Sequence, residues 1–303
     1  MSSAVATFTI ETLTLTQPGP YETARVGVLL PPQSLDGTYA ASTHTLVYVA
    51  GMGGSMKGAL PFLSTLAQQT GNPVIGIDLP GFGLNHALGV PFGPTRYPEF
   101  LQQCLQSFFR ARPDWPQALQ MVAISLGAAT VCHWAKGFQS TWPTLASLSL
   151  LAPAFRPYRP TFPYPWVAQQ ALQFITSLGR ALVMMPYGIT ELTQNSTYRD
   201  DPHYHPRLQL PLPYLLQVEQ YNLQAFQALG AITVPTAIVI PTRDVVCCPQ
   251  TMEQAYYHLQ PATPKHRIVL EGAYHDVVME AADDPQSLLT TGLLSWFSLC
   301  SAG

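Results

Sequence analysis

Short apolar runs and amphipathic segments alternate along most of this chain. Two early runs, FTIETLTL and ARVGVLLP, alternate or are rich in β-branched residues, and they predict strands joined by a turn with proline and glycine. Four later runs, TLVYVA, PVIGIDLP, ALQMVAI and LASLSLLAP, are continuously apolar, as in strands buried on both faces. Segments with helical character separate them. This order predicts an α/β fold with a mostly parallel sheet covered by helices on both faces.

The alternation stops near Pro153 and resumes with PTAIVIPTRD and HRIVLEGA, each followed by a helical segment. The intervening stretch is rich in proline, tyrosine and glutamine, and it contains two segments with helical character, WVAQQALQFITSLGRALVMM and YLLQVEQYNLQAFQAL. We therefore predict one α/β core formed by residues 1–154 and 232–303. Residues 155–231 are predicted to be an inserted, mainly helical cap.

Composition excludes several classes of protein. Of the 303 residues, 47% are hydrophobic and 10% are charged, which is sufficient for a large core and too apolar for a disordered chain. A net charge of −3 and the lack of a basic run argue against a nucleic-acid partner. No apolar stretch approaches the roughly 20 residues that span a bilayer. The N-terminus lacks the pattern of a secretory signal, so a cytoplasmic location is expected.

Neither the cysteines nor the histidines form a pattern typical of metal ligands. HYH, at His203 and His205, offers two imidazoles without a third ligand in a matching context. We therefore expect no metal and no cofactor. The cysteines are odd in number and are predicted to be free thiols. They are Cys104, Cys132, Cys247, Cys248 and Cys300.

Ser125 lies where the predicted strand ALQMVAI meets the helix LGAATVCHWAKGF. Ligands of open parallel sheets bind beyond the carboxyl ends of the strands. Ala123 and Gly127 are small, as a sharp turn from strand to helix requires. The amide of Leu126, in the first turn of the helix, could donate to an oxyanion. The pattern is A-x-S-x-G, and a serine that merely caps the helix is the alternative interpretation.

A nucleophilic serine needs a base, and the base needs an acid that orients it. Asp244 ends the run PTAIVIPTRD, and His275 lies in EGAYHDVV, just past the next predicted strand. Residue type, chain order and placement at strand ends together predict Ser125 as nucleophile, Asp244 as acid and His275 as base. A turn role for the aspartate and a structural role for the histidine are the alternatives.

A second oxyanion donor is expected from the glycine-rich loop after TLVYVA. Gly51, Gly53 and Gly54 allow this backbone to approach a ligand closely, and the sequence matches neither common phosphate-binding motif. By position, the amide of Met52 is the candidate, with Gly51 as the alternative.

Three further polar residues are weaker candidates for chemistry. Asp276 adjoins His275 and cannot easily turn back onto its ring. Asp78, in GIDLPGFG, is predicted to shape its loop, and His133 is predicted to be an ordinary helix residue.

Several of these stretches together resemble the α/β-hydrolase superfamily. They are VYVAGMGGSMKG, GIDLPGFGLN, VAISLGAAT, VPTAIVIPTRDVV and LEGAYHDVVME, and the nearest group resembles the monoacylglycerol lipases, lysophospholipases and serine aminopeptidases. LTQNSTYRDDPHYHPRLQLPLPYLL is similar to that group's segment between cap and core. The resemblance covers roughly residues 44–299. It implies an α/β-hydrolase fold, the same three catalytic residues and a cap over the site.

Two positions depart from the pattern of this group. Ala50 stands where a histidine usually precedes the oxyanion loop, and Ala123 replaces the first glycine of the serine turn. Neither change removes a member of the predicted triad.

The expected activity is hydrolysis of a hydrophobic carboxylic ester, such as a monoacylglycerol or lysophospholipid, through an acyl-enzyme. Apolar cap residues favour such a small substrate over a charged peptide, although packing onto the core would also explain each of them. The low charge and apolar cap also permit transient contact with a membrane surface. The residues proposed for the cap roof are Phe155, Phe162, Tyr164, Trp166, Phe174, Met184, Met185 and Tyr187.

Two other classes of function remain open. One is an enzyme of the same fold with different chemistry: an acyltransferase, a perhydrolase, a C–C hydrolase or a biosynthetic tailoring enzyme. The other is a ligand-binding protein without catalysis. The oligomeric state has no signature in the sequence.

Overall fold

The strands in the part of the chain that the structure describes form one large sheet and one small ribbon. The computed structural model describes residues 6–15, 21–31, 43–89, 93–158, 182–184, 192–195, 209–282 and 284–301. The large sheet contains β1 (Thr7–Thr14), β2 (Thr23–Leu30), β3 (His44–Val49), β4 (Val74–Ile77), β5 (Ala118–Ile124), β6 (Thr144–Leu151), β9 (Thr236–Pro241) and β10 (Lys265–Leu270). The ribbon pairs β7 (Leu182–Met184) with β8 (Gln209–Pro211).

Helices follow most of the strands. The α-helices are α1 (Leu60–Thr70), α2 (Tyr97–Ala111), α3 (Leu126–Phe138), α4 (Leu212–Ala228), α5 (Pro249–His258), α6 (Val277–Glu280) and α7 (Leu288–Ser301). Short 3-10 helices cover Gly83–Leu88, Pro94–Arg96 and Leu229–Ala231. No helix among the described residues is long and apolar enough to cross a membrane.

The strand order β1-β2-β4-β3-β5-β6-β9-β10 confirms the predicted mostly parallel sheet. From β4 to β10 all neighbours are parallel, while β2 is antiparallel to both β1 and β4. The chain leaves β3 toward β4 on one side and then returns to β5 on the other. Such a reversal opens a crevice at the carboxyl ends of the two strands. Val49 of β3 pairs with Ala123 of β5, so the loops that follow both strands begin side by side.

Both faces of the central strands are buried, as the continuous apolar runs predicted. In β3, Val47 and Val49 belong to a core cluster shared with α2 and α3, whereas Leu46 and Tyr48 belong to one shared with α1 and α7. Successive side chains of a strand point to opposite faces, so a strand covered on both sides is apolar at most positions.

The side chain of Met56 packs the loop after β3 against the sheet. This side chain is fully buried above two strand glycines. A Cβ on Gly76 would lie 2.0 Å from its sulfur, and one on Gly27 would lie 2.2 Å from it. Glycine inside these strands therefore provides the space that the methionine fills.

Asp78 ties the same loop to the loop after β4. Its carboxylate accepts hydrogen bonds from the amide of Met56 at 2.7 Å, the amide of Leu84 at 2.8 Å and the hydroxyl of Ser55 at 2.9 Å. Burial raises the pKa of this carboxyl, and the three hydrogen bonds oppose the rise. The structure agrees with the prediction that Asp78 shapes its loop.

Helix α4, from the segment predicted as cap, packs on core helices. His133 of α3 stacks on Tyr221 with ring centroids 4.0 Å apart, and its Nε2 lies 2.9 Å from the carbonyl oxygen of Tyr221. The hydroxyl groups of Tyr97 and Tyr214 are 2.8 Å apart. His133 thus has the structural role predicted for it. The division of the chain into core and cap stays a prediction.

Two predictions for the inserted segment are wrong where the structure describes it. Leu182–Met184 form strand β7, not the end of a helix, because three apolar residues suit either element and their pairing with β8 decides between them. Phe155 does not line a roof. It is fully buried in the core and packs edge-to-face on Phe226, with centroids 5.8 Å apart. The side chain of Met184 and the other proposed roof residues lie outside the described residues, as do His203 and His205.

We expect Asp78→Ala to lower the free energy of unfolding by about 3 kcal/mol, because two buried amides lose their acceptor. Urea denaturation followed by circular dichroism measures this change. Asp114→Ala, which removes an exposed carboxylate, is the matched control and should have little effect. Equal effects of the two substitutions would show that Asp78 does not hold the loops together.

Candidate active site

Ser125 occupies the sharp turn between β5 and α3. Its backbone angles, φ 56° and ψ −121°, lie in a region that residues other than glycine rarely adopt. Its amide donates to the carbonyl oxygen of Leu151 at 3.0 Å, and its carbonyl accepts from the amides of Ala129 and Ala154, both at 3.2 Å. These bonds hold the serine in the strained conformation that projects its side chain from the turn.

Gly127 lets α3 begin directly against the end of β3. A Cβ at this position would lie 2.4 Å from the carbonyl oxygen of Val49 and 2.5 Å from that of Ala50. Gly51 is similarly close, since a Cβ there would lie 3.0 Å from the Cβ of Ser125. Small residues at these positions therefore bring the glycine-rich loop up to the serine.

The three residues predicted as a triad form one hydrogen-bonded chain. Nε2 of His275 lies 2.9 Å from the hydroxyl oxygen of Ser125, and Nδ1 lies 2.7 Å from Oδ2 of Asp244. The other carboxylate oxygen of Asp244 accepts from the amides of Val246 at 2.7 Å and Cys247 at 2.8 Å. A carboxylate held in this way fixes the imidazole with its proton on Nδ1, which leaves Nε2 free to accept the proton of the serine.

Opposing effects act on the pKa of His275. Its burial by itself lowers this pKa, but the charge and hydrogen bond of Asp244, aided by the charge of Asp276, outweigh burial and raise the pKa above its ordinary value. The site therefore favours an imidazole that accepts a proton readily and is stabilised once charged.

Asp276 caps a helix and is not the acid that orients His275. Its carboxylate accepts a hydrogen bond from the amide of Met279 at 3.2 Å and so caps α6. Its charge still acts on the neighbouring His275, an influence that the sequence analysis did not anticipate.

The two predicted oxyanion donors lie on either side of the serine. Met52 lines the cavity in front of Ser125, and Leu126 begins α3 immediately after it. Neither amide donates to an acceptor among the described residues. Gly54 donates to the carbonyl oxygen of Gly51 at 3.1 Å and so closes the turn that carries Met52. That these amides bind an oxyanion stays a prediction.

Cys247 is a site residue that the sequence analysis missed. It is buried beside the triad, and this burial together with the charge of Asp244 raises the pKa of its thiol well above the usual range. Ligand atoms of Asp244, Cys247 and His275 lie within 4.8 Å of one another. The imidazole and carboxylate are already bonded to each other and the thiol is held neutral, so the arrangement suits proton transfer better than metal binding. In the sequence, the only indication that Cys247 lies at the site was its position three residues after Asp244. All five cysteines are free thiols, as predicted.

A small cavity of about 60 Å³ opens in front of the serine and histidine. One wall is the glycine-rich loop after β3, and another is the first turn of α6. Tyr48, Ile124 and Leu192 also line it. Leu192 is a second residue that the sequence analysis missed, because it comes from the inserted segment and reaches the site only in the folded chain.

Residues 40–282 match the sequence profile of a family described as serine aminopeptidase, S33. The chain belongs to this family. The matched residues include every member of the predicted triad and both predicted oxyanion donors. No curated protein matches the chain in a sequence search.

Solved structures share the fold of this S33 family member along almost its whole length. A monoacylglycerol lipase from Paleococcus ferrophilus is 18% identical, with a TM-score of 0.65, and the match covers 92% of this chain and 98% of that one. A soluble variant of monoglyceride lipase from Saccharomyces cerevisiae is 16% identical, with a TM-score of 0.70 and coverage of 99% and 97%. The α/β-hydrolase GrgF from Penicillium sp. sh18 is 15% identical, with a TM-score of 0.67 and coverage of 98% and 100%. The protein is an α/β-hydrolase of the group that the sequence resembles.

The two departures from the usual pattern fit the packing of this S33 member. Ala50 and Ala123 are both fully buried at the ends of β3 and β5. The carbonyl oxygen of Ala50 faces Gly127 at the start of α3, where no larger side chain fits. Both alanines are therefore accommodated at this junction of strand and helix without exposing their side chains.

We expect Gly127→Ala to lower the free energy of unfolding by about 2 kcal/mol, because the added methyl group collides with two backbone carbonyls. Gly137→Ala, in the same helix, is the matched control, since a Cβ there meets nothing within 4 Å. It should raise stability by about 0.5 kcal/mol through helix propensity. Urea denaturation of both variants measures the difference, and a similar result for both would contradict the close packing at residue 127.

Proposed function

We propose that this protein is a serine hydrolase that cleaves a hydrophobic carboxylic ester through an acyl-enzyme on Ser125. The hydrogen-bonded chain from Ser125 through His275 to Asp244 carries the proposal. Such a chain makes a weak nucleophile reactive, because the histidine accepts the serine proton and the aspartate stabilises the resulting charge. Membership of a hydrolase family supports the same class of reaction.

The first half of the reaction acylates the serine. The oxygen of Ser125 attacks the ester carbonyl carbon while its proton passes to Nε2 of His275. The carbonyl oxygen becomes an oxyanion, which the amides of Met52 and Leu126 stabilise. When the tetrahedral intermediate collapses, the bond to the alcohol oxygen breaks, and His275 returns the proton to that oxygen.

The second half releases the acid. Water attacks the acyl carbon and gives its proton to His275, and the same two amides stabilise the second oxyanion. The bond to the serine then breaks, and the proton returns to Ser125. Asp244 remains ionised throughout and stabilises the charged imidazole in both halves.

A hydrophobic carboxylic ester, monoacylglycerol-like or lysophospholipid-like, is the proposed substrate. The cavity walls are mostly apolar, with Ile124, Leu192 and Val278 among them. Besides His275, the described lining contains one carboxylate, that of Asp276, which caps α6, and neither lysine nor arginine. A charged peptide end would therefore find little support there. Two structural neighbours are described as monoacylglycerol and monoglyceride lipases, which is consistent with such a substrate.

A fluorophosphonate probe tests the nucleophile, since it reacts with activated serines. We expect covalent labelling of the wild-type protein and no labelling of Ser125→Ala, measured by intact mass. The same substitution should lower kcat/KM for p-nitrophenyl esters by at least about a thousandfold. Equal labelling of both proteins, or labelling of neither, would favour a ligand-binding protein. Faster cleavage of aminoacyl anilides than of esters would favour an aminopeptidase.

The pH dependence tests the base. Because His275 must be neutral to accept a proton, kcat/KM should fall as the pH drops through its raised pKa. Asp276→Asn removes a charge that raises this pKa, and asparagine can still cap α6. We therefore expect the acid limb of the profile to move to lower pH. Asp284→Asn removes one negative charge at an exposed site, so it is the control for any effect of net charge on the pH profile. An acid limb that stays in place, or moves to higher pH, contradicts this assignment.

A further inference from the structure

Residues 192–195 form hydrogen bonds with the turn and helix α6 that follow the candidate base, His275. The carbonyl oxygen of Leu192 accepts from the amide of Asp276 at 2.8 Å. Oε1 of Glu280 accepts from the hydroxyl of Thr193 at 2.5 Å and from the amide of Gln194 at 2.6 Å. One carboxylate oxygen thus holds two consecutive residues of the segment against α6.

Further bonds make this attachment rigid. Thr193 is fully buried, and its hydroxyl oxygen also accepts from the amide of Asn195 at 3.0 Å. The side-chain nitrogen of Asn195 donates to the carbonyl oxygen of Met279 at 2.9 Å. The segment is therefore bonded along its whole length, chiefly to α6, and Leu192 is held where it lines the cavity.

The position of the cavity indicates which part of an ester it accepts. His275 delivers a proton to the oxygen of the leaving alcohol, so the alcohol must lie beside the imidazole. The wall that contains Leu192 also contains His275 and the turn that follows it, including Val278 and Met279. At about 60 Å³, the cavity has room for only a few non-hydrogen atoms.

We propose that this cavity binds the leaving alcohol, that Leu192 limits the length of that alcohol, and that Glu280 is the positioning residue that holds Leu192 in place. The ligand class is a short alcohol, of about the size of the glycerol of a monoacylglycerol, joined to the acyl group. This inference rests on the proposed ester hydrolysis and adds a specificity determinant to it.

The direct test varies the alcohol and keeps the acid constant. Hexanoate esters of ethanol, butanol, hexanol and octanol are compared by pH-stat, and the ratio of kcat/KM for the hexyl ester to that for the ethyl ester is recorded. We expect Leu192→Ala to raise this ratio about tenfold, because the shortened wall admits further methylenes, and Leu192→Phe to lower it. Leu299→Ala, on the exposed face of α7, is the control and should leave the ratio unchanged.

Two substitutions test the positioning role of Glu280: alanine removes its carboxylate, and glutamine keeps one acceptor oxygen. Glu280→Ala removes the shared acceptor, so the segment loosens and the ratio should rise as it does in Leu192→Ala. Glu280→Gln keeps an acceptor oxygen at the same position and should retain the wild-type ratio. The melting temperature of each variant shows whether the fold as a whole is weakened. A raised ratio in Glu280→Ala at an unchanged melting temperature, with a wild-type ratio in Glu280→Gln, assigns the effect to the lost acceptor.

A second ester series locates the effect within the substrate. Ethyl esters of acids from butanoic to decanoic vary the acyl part alone, and we expect the Leu192 variants to leave this profile unchanged. A change in the acyl series instead overturns the assignment of the cavity to the alcohol. No change in either series overturns the role of Leu192. Fluorophosphonate labelling separates these results from failure of the proposed function, since an unlabelled wild type that cleaves no ester removes the basis of both.

Discussion

The strained backbone of Ser125 is the constraint on which the site depends. A residue other than glycine at φ 56° costs of order 1–3 kcal/mol, and it persists only where the surroundings enforce it. Here residues of β6, of α3 and of the loop after β6 form hydrogen bonds with the backbone N–H and C=O of this one residue. The absence of a side chain at Gly127 lets α3 start against the carbonyls that end β3. The serine and the glycine-rich loop are therefore positioned by the same close packing.

Carboxylates, more than regular secondary structure, hold the loops around this serine. Asp78 joins the loops after β3 and β4 through two backbone amides and a hydroxyl. Asp244 binds two amides of its own loop while orienting His275. Glu280 binds the segment that contains Leu192. Each of these carboxylates accepts a hydrogen bond from at least one backbone amide outside the α-helices and strands, which is why irregular chain can form precise walls here.

The electrostatics of the site favour a proton relay. Asp244 and Asp276 both raise the pKa of His275 against the effect of burial. The nearby thiol of Cys247 is kept neutral by burial and by the charge of Asp244. An imidazole that gains a proton is thus stabilised, while the adjacent thiol does not compete as an anion. This division of roles between buried groups is what acyl transfer through a serine requires.

The sequence by itself determined the sheet, the turn at Ser125 and the choice of Asp244 and His275. Buried strands leave continuous apolar runs, and parallel strands end at one edge, so residues just past those ends are neighbours whatever their separation in the chain. The tertiary structure alone decided the pairing of Leu182–Met184, the burial of Phe155, and the places of Cys247 and Leu192. None of these follows from periodicity or spacing, because each depends on contacts between segments that are far apart in the chain. Short apolar stretches are compatible with several environments, and only the packing of the whole chain selects one.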